Sequence, residues 1–470
     1  MSTRKGIAIA LASLLGANAV AAAPLSADEA AFRDLYEELV EINTTLSVGS
    51  CTDAANAMAA RLATAGIPSS DMQIIVPSEL PRQGNLVAIL RGTDPEAKAL
   101  LLLAHLDVVE ANRADWERDP FTLIEEDGYF YGRGTADDKA MAAIFVDALI
   151  RFRQENYRPA RSIKLALTCG EETPYDFDGA EYLIEHHRDL IDAAFALNEG
   201  GGGRLDGDGR RLFIGVLAGE KVYQDFRLEI TNPGGHSSRP VKDNAIYRLA
   251  AALGRLSTFQ FPVELNATTR TFFERMAGIE TGQKADDMRA ILRSPPDAAA
   301  LARIMDDPSY NAILHTTCVA TMLDAGHAPN ALPQRAGANV NCRIFPGHAQ
   351  EEIRKTLEQV VADPGILVTF VDPPERVSPP PPLTREILAP VEALTAELWP
   401  GVPVLPIMQA GATDARFLTP EGIPTYGISG IFSDPETTNA HGLNERTRAQ
   451  SLYEGRAFLQ RLIKAYAGGD

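Results

Sequence analysis

Five short apolar runs, at 72–76, 85–90, 99–103, 163–167 and 193–197, each have the length and composition of a buried strand. A helix-length stretch at 140–154 separates the third run from the fourth. That alternation predicts an α/β fold built on a largely parallel sheet. Two helices are expected ahead of it. Ser26 with Glu29 reads as a capping box before Phe32, Leu35, Leu39 and Ile42 at helical spacing, and 52–65 reads as a second helix ending near Gly66.

At 470 residues and 45% hydrophobic, the chain is long enough for two cored domains. Near Val222 the texture changes. Residues 223–231 alternate like a half-exposed strand, 232–235 form a turn, and 243–256 a helix. A long helical stretch then runs to about 307, followed by two strand-like runs, 316–323 and 336–345, that predict a hairpin, and by a helix at 350–361. Strand, helix, strands, helix is the pattern of an α+β sandwich. Ser378-Pro-Pro-Pro-Pro-Leu383 reads as a linker back into the first domain, with a helix at 385–398, a strand at 425–428 and a closing helix at 450–466. The expected organisation is a catalytic α/β domain in two parts, 26–221 and 377–470, with an α+β lid inserted at 222–376.

The first residues read as a secretory leader over 1–22. Arg4 and Lys5 precede an apolar run from Ile7 to Leu15, and small residues follow, with cleavage expected after Ala21 or Ala22. A secreted or periplasmic enzyme is the resulting expectation. No later segment approaches the ~18 apolar residues of a spanning helix. The net charge of −19 argues against nucleic acid and anionic membranes as partners. An anionic substrate must then be attracted locally, by metal or arginine. Four cysteines do not make a disulfide scaffold at this length. Cys318 and Cys342 would nevertheless face each other across the predicted hairpin, and both a disulfide and two buried free thiols fit them.

The carboxyl ends of three predicted strands deliver metal-binding side chains, at the edge where open α/β sheets place their sites. The run at 99–103 is closed by Ala104-His105-Leu106-Asp107, that at 163–167 by Thr168-Cys169-Gly170-Glu171-Glu172, and that at 193–197 by Asn198-Glu199. Gly132-Arg-Gly-Thr-Ala-Asp137-Asp138-Lys139 adds a glycine-rich turn opening a helix. Each piece alone is commonplace, because a strand-end histidine is usually structural and paired glutamates usually face water. Together they would carry a heavy desolvation cost without cations. Zinc suits imidazole and carboxylate ligands, and a carboxylate can bridge two metals roughly 3.5–4 Å apart.

These motifs, with Gly235-His236-Ser-Ser, Gly411-Ala-Thr413-Asp414-Ala-Arg416 and His441-Gly-Leu-Asn-Glu445, resemble the aminoacylase/carboxypeptidase family of dinuclear zinc metallopeptidases (clan MH), which includes succinyl-diaminopimelate desuccinylase. The resemblance runs from about residue 30 to the C-terminus. It implies two zinc ions per subunit, replaceable by cobalt or manganese. His105 and Glu199 would hold one, Glu172 and His441 the other, with Asp137 bridging. It further implies Glu171 as general base, Asp107 orienting His105, and His236, Asn330, Arg343, Gly411 and Thr413 contacting the substrate, with the arginine on its carboxylate. The stretch from Asn311 to Gly347 is most similar to the carboxypeptidase S and N-fatty-acyl-amino-acid hydrolase branch. The implied reaction is hydrolysis of an amide next to a free carboxylate. Carboxypeptidase action on short peptides leads, N-acyl-amino-acid hydrolysis is the alternative, and an inactive ligand-binding relative is the third reading. A homodimer through the lid is a further implication. Glu110 in place of a common proline and Ala140 in place of a common glycine bear on loop shape and specificity. His186, His187, His315, His327 and His348 match no ligand position.

Overall fold

The computed structural model describes residues 25–173, 177–374, 376–435 and 438–469. The leader expected at 1–22 lies outside them. The two expected N-terminal helices form at Ala27–Glu41, with the Ser26/Glu29 capping box in place, and at Cys51–Thr64. The five apolar runs become the strands Met72–Ile75, Asn85–Leu90, Leu100–His105, Ile163–Thr168 and Phe195–Asn198 of one ten-stranded sheet. The helix Lys139–Gln154 lies on this sheet with nearly every side chain buried.

The sheet is mixed rather than largely parallel. Leu100–His105 runs parallel to both Ile163–Thr168 and Phe195–Asn198, which pairs in parallel with Thr425–Gly427. Met72–Ile75 and Asn85–Leu90 pair antiparallel at one edge. Beyond Thr425–Gly427 lies a half of the sheet that was not anticipated: Arg211–Glu220, Gly202–Leu205, Phe432–Ser433 and Val404–Gln409. Pro406 sits within Val404–Gln409 and weakens its signature, since proline is confined to sheet edges. This strand pairs only with Arg211–Glu220.

After Lys221 the chain enters a second, four-stranded antiparallel sheet, ordered Thr317–Ala325, Arg335–Ile344, Val222–Thr231, Ile366–Phe370. Helices Ala245–Leu256 and Gln350–Val361 cover one face, and Phe226, Leu228, Leu249, Val340 and Leu357 lie in the shared core. The long helical stretch resolves into Ala267–Met276, Gly282–Ile291, Ala298–Met305 and Pro308–Leu314. These do not pack on the second sheet. Phe272, Phe273, Met288 and Leu314 cluster with Leu405 and Ile407, shielding the edge strand of the large sheet.

The predicted hairpin pairs Cys318 directly with Cys342, and the two form a disulfide. A second one, Cys51–Cys169, was not expected and uses the remaining cysteines, 118 residues apart. Non-reduced peptide mapping should recover both links, and a free thiol at any of the four positions would contradict this arrangement. Among the described residues, no helix is long and apolar enough to cross a membrane.

Candidate metal centre

His105 is the last residue of its strand, and the side chains that meet it come from the ends of its neighbours. Its Nε2 lies 3.1 Å from Asp137 Oδ1 and 3.9 Å from Glu199 Oε1. On the other side of Asp137, Oδ2 is 3.2 Å from His441 Nε2, which is 2.9 Å from Glu172 Oε2. Two ligand-type triads thus share one carboxylate: His105, Asp137 and Glu199, and Asp137, Glu172 and His441. All five expected metal ligands converge.

Asp107 is buried beside this group and meets His105 through its backbone rather than its carboxylate. Its backbone carbonyl, 3.0 Å from His105 Nδ1, fixes the imidazole, while the carboxylate stands 3.8 Å off. The carboxylate oxygens instead accept the amides of Glu171 at 3.3 Å and Glu172 at 2.9 Å. Gly170 allows that turn. Its φ is +106°, and a Cβ there would meet the Phe177 carbonyl oxygen at 2.1 Å.

The C-terminal loop is clamped to the turn before Asp137 by Glu445, whose role sequence reasoning missed. Its buried carboxylate accepts Arg133 Nη1 at 2.7 Å and the amides of Gly134, Ala136 and Asp137 at 3.0, 2.8 and 3.1 Å. Arg133 Nη2 also donates to the Gly442 carbonyl at 2.9 Å. The same loop carries Asn439, His441 and Asn444 at left-handed φ of 58°, 60° and 54°, a costly choice outside glycine that surrounding contacts must impose. Buried Lys139 donates to the Ile42 carbonyl at 2.7 Å and ties the helix behind the turn to the first helix.

The expected substrate residues fall in two places. Gly411 and Thr413 lie between Val404–Gln409 and Ala415–Leu418. Thr413 is buried, with its hydroxyl donating to Glu220 at 2.6 Å and accepting from Asn198 at 3.0 Å, so it shapes the loop rather than offering a free hydroxyl. His236, Asn330 and Arg343 belong to the second sheet region. His236 is exposed on a two-residue strand paired with Ala331–Leu332, next to Asn330, and its Nδ1 meets Ser238 Oγ at 2.7 Å. The Arg343 guanidinium lies over the Tyr223 ring at 4.6 Å. A cavity of about 410 Å³ opens beside Asp137 and Glu199 and extends to Tyr129, Phe432 and Arg446.

The donor set fits divalent metal. Burial pushes Glu199 well above the usual carboxylate range, Glu171 up to about 7 and Glu172 up to about 8. Asp137 is only partly buried, and its bonds to both imidazoles outweigh the desolvation and hold it low. Packing so many carboxylates together is costly unless cations offset it. Imidazole with carboxylate is the donor chemistry of catalytic zinc, with oxygen-rich sets also suiting manganese.

The sign of the pH effect follows. Raised folded-state carboxyl pKa values favour the folded state at low pH, and that advantage is lost as pH rises from about 4.5 through 7 to 8. His441, pushed up to about 9 mainly by Asp137, acts in the same direction above about 6.5. Chelator-stripped protein should therefore melt several degrees lower at pH 8 than at pH 5.5, and a divalent cation should erase the difference. A melting temperature that rises with pH in the stripped protein would refute this.

Residues 101–465 match Peptidase family M20/M25/M40. The chain belongs to that family. It is a hydrolase of the metallopeptidase class, with relatives in both branches expected from the motifs. The M20 relative N-fatty-acyl-amino acid synthase/hydrolase PM20D1 of Homo sapiens is 31% identical over 388 residues, 80% of this chain and 75% of that protein. Probable carboxypeptidase S-like 2 of Dictyostelium discoideum is 26% identical over 395 residues, 81% and 74% of the respective chains. The crystal structure of the M20 family metallo-carboxypeptidase Sso-CP2 from Sulfolobus solfataricus shares the fold at a TM-score of 0.68. It is 18% identical and covers 94% of this chain and 100% of that one.

Proposed function

We propose that this M20 protein hydrolyses an amide bond next to a free carboxylate, using two zinc ions held by His105, Asp137, Glu172, Glu199 and His441. The observation that carries the reading is the placing of Asp137 between two imidazoles, at 3.1 and 3.2 Å, each joined by a further glutamate. A bound metal pair would supply an acidified water and a Lewis acid for the carbonyl. The rest falls to the chain. Glu171, which belongs to neither triad, takes the proton of the attacking water and returns it to the leaving nitrogen. Asp107 aims the Glu171 turn through its amide bonds. The Arg343 guanidinium pairs with the substrate carboxylate and Asn330 assists it. His236 donates to the carbonyl oxygen as charge builds there. Gly411 supplies backbone close to the substrate, and Thr413 shapes that loop.

In this reading 26–221 and 377–470 form the catalytic domain and 222–376 the inserted segment, whose second sheet and two covering helices are the lid while its helices between Ala267 and Leu314 pack on the large sheet. The cavity beside Asp137 and Glu199, within the usual range of ligand pockets, holds the group on the acyl side. Short peptides cleaved as by a carboxypeptidase are one substrate class. N-acyl amino acids are the other, favoured by the 31% identical human relative. The leader motif supports export, to be checked by the N-terminus of protein recovered outside the cytoplasm. The exposed edge Thr317–Ala325, with Met322 and Leu323 in solvent, supports pairing of two lids, to be checked by light scattering.

The deciding experiment is amine release from dipeptides, C-terminally blocked peptides and N-acyl amino acids, with stripped and zinc-reconstituted enzyme. Metal-dependent cleavage only where a free α-carboxylate is present is expected. Equal cleavage of blocked substrates would reject the role of Arg343, and no turnover with two metals bound would reject the function.

A further inference from the structure

The Cys51–Cys169 disulfide lies directly under the turn to which the reading above assigns the base and one metal ligand. Cys169 immediately precedes Gly170-Glu171-Glu172, and Cys51 opens the helix Cys51–Thr64, capped by Ser50. Both cysteines are buried, and each presents its sulfur within 4.8 Å of an Asp107 carboxylate oxygen. That carboxylate holds the Glu171 and Glu172 amides. Sulfur, carboxylate and turn thus form a stack, with the disulfide as its floor. The Cys169 amide donates to Asn85 Oδ1 at 3.0 Å and its carbonyl accepts the Gly179 amide at 2.8 Å, so the residue is fixed on the strand side as well. Beside the stack, a cavity of about 170 Å³ is lined by Cys51, Asp107 and Cys169 together with Thr44, Arg82 and Thr173. The covalent link borders that cavity and constrains the residue that leads into the turn.

We propose that the Cys51–Cys169 disulfide is a positioning element for catalysis: it backs Asp107 against the Gly170–Glu172 turn and so keeps Glu171 and Glu172 aimed at the metal centre. The inference rests on the assignment of Glu171 and Glu172 given above. Without the link, Asp107 gains room towards the cavity, its two amide bonds loosen, and the base loses its aim while the remaining ligands stay in place.

The test compares a Cys51→Ser/Cys169→Ser double variant with Met58→Ala, which opens a cavity under the same helix but keeps the disulfide. Each is metal-loaded and assayed well below its own melting temperature. The double variant should lose about tenfold in kcat with KM unchanged, the scale of effect seen when partners of metal ligands are removed. Hydrogen exchange in a peptide covering 168–173 should quicken, and titration should show weaker uptake of one of two metals. Met58→Ala should melt earlier with none of these changes. Wild-type kcat, exchange and metal uptake in the double variant would overturn the proposal and leave the disulfide a stability element only. If the double variant does not fold, a Cys318→Ser/Cys342→Ser variant treated with a phosphine reductant, its one remaining bridge counted open by mass, gives the same three readings. Glu171→Ala run alongside separates the two failures. A dead Glu171→Ala beside a fully active double variant overturns the positioning role alone, whereas an active Glu171→Ala overturns the base assignment beneath it.

Discussion

A Glu171→Ala variant is expected to lose about 10²- to 10⁴-fold in kcat while still binding two metal ions. The expectation follows from the division of labour within one turn. Glu172 points its carboxylate at His441, 2.9 Å away, and belongs to the ligand set. Glu171, its neighbour, takes part in neither triad. Burial pushes it up to about 7 in the metal-free site, and in the proposed reaction it is the carboxylate left to carry the proton. Truncating it removes proton transfer and leaves the ligands standing. Glu171→Gln keeps the volume and should be equally inactive, which excludes a packing explanation. Turnover above a few per cent of wild type, with metal content confirmed by elemental analysis, would reject the assignment.

The second large effect is expected at Glu445. Its carboxylate takes four hydrogen bonds, three of them from the backbone that leads into Asp137. It stands four residues from His441, so one side chain fixes the Asp137 carboxylate relative to the imidazole 3.2 Å from it. Glu445→Ala leaves buried amides and a buried guanidinium without their acceptor, and each such loss is costly. Glu445→Gln turns an amide NH₂ towards donors and is only a partial repair. Alanine should weaken metal uptake or activity about 10- to 100-fold, with glutamine intermediate. The check is metal titration of stripped protein followed through the melting temperature, and wild-type affinity in the alanine variant would refute the clamp.

Much of this centre could be read from the sequence because strand ends announce themselves. An apolar run closed by His105 or Glu199 has one geometry, and the intervening glycine-rich turn could only open a helix. What escaped had its partners far away along the chain. Glu445 meets amides more than 300 residues earlier, and Cys51 meets Cys169 across 118. No local period marks such pairs. Thr413 was read as a residue facing substrate, but the buried Glu220 claims its hydroxyl. The missed half of the large sheet has a physical reason too. Arg211–Glu220 contains Gly215 and Gly219 and runs on into Val222–Thr231 after a single residue, so no turn marks where one sheet ends and the other begins. The long helical stretch was placed with the lid by sequence order, whereas its apolar faces are satisfied by Leu405 and Ile407 of the large sheet.

The ordering of the ligands along the chain sets a clock on synthesis. His105, Asp137, Glu172 and Glu199 emerge early, but His441 follows Glu199 by about 240 residues, or roughly 12–50 s at ordinary translation rates. Until then the nascent chain can gather the first triad only. The second waits for the loop that Glu445 anchors and for the buried helix Ala449–Ala467 behind it. In the proposed centre, a nascent chain that ends between Glu199 and His441 would carry the first triad and lack the second.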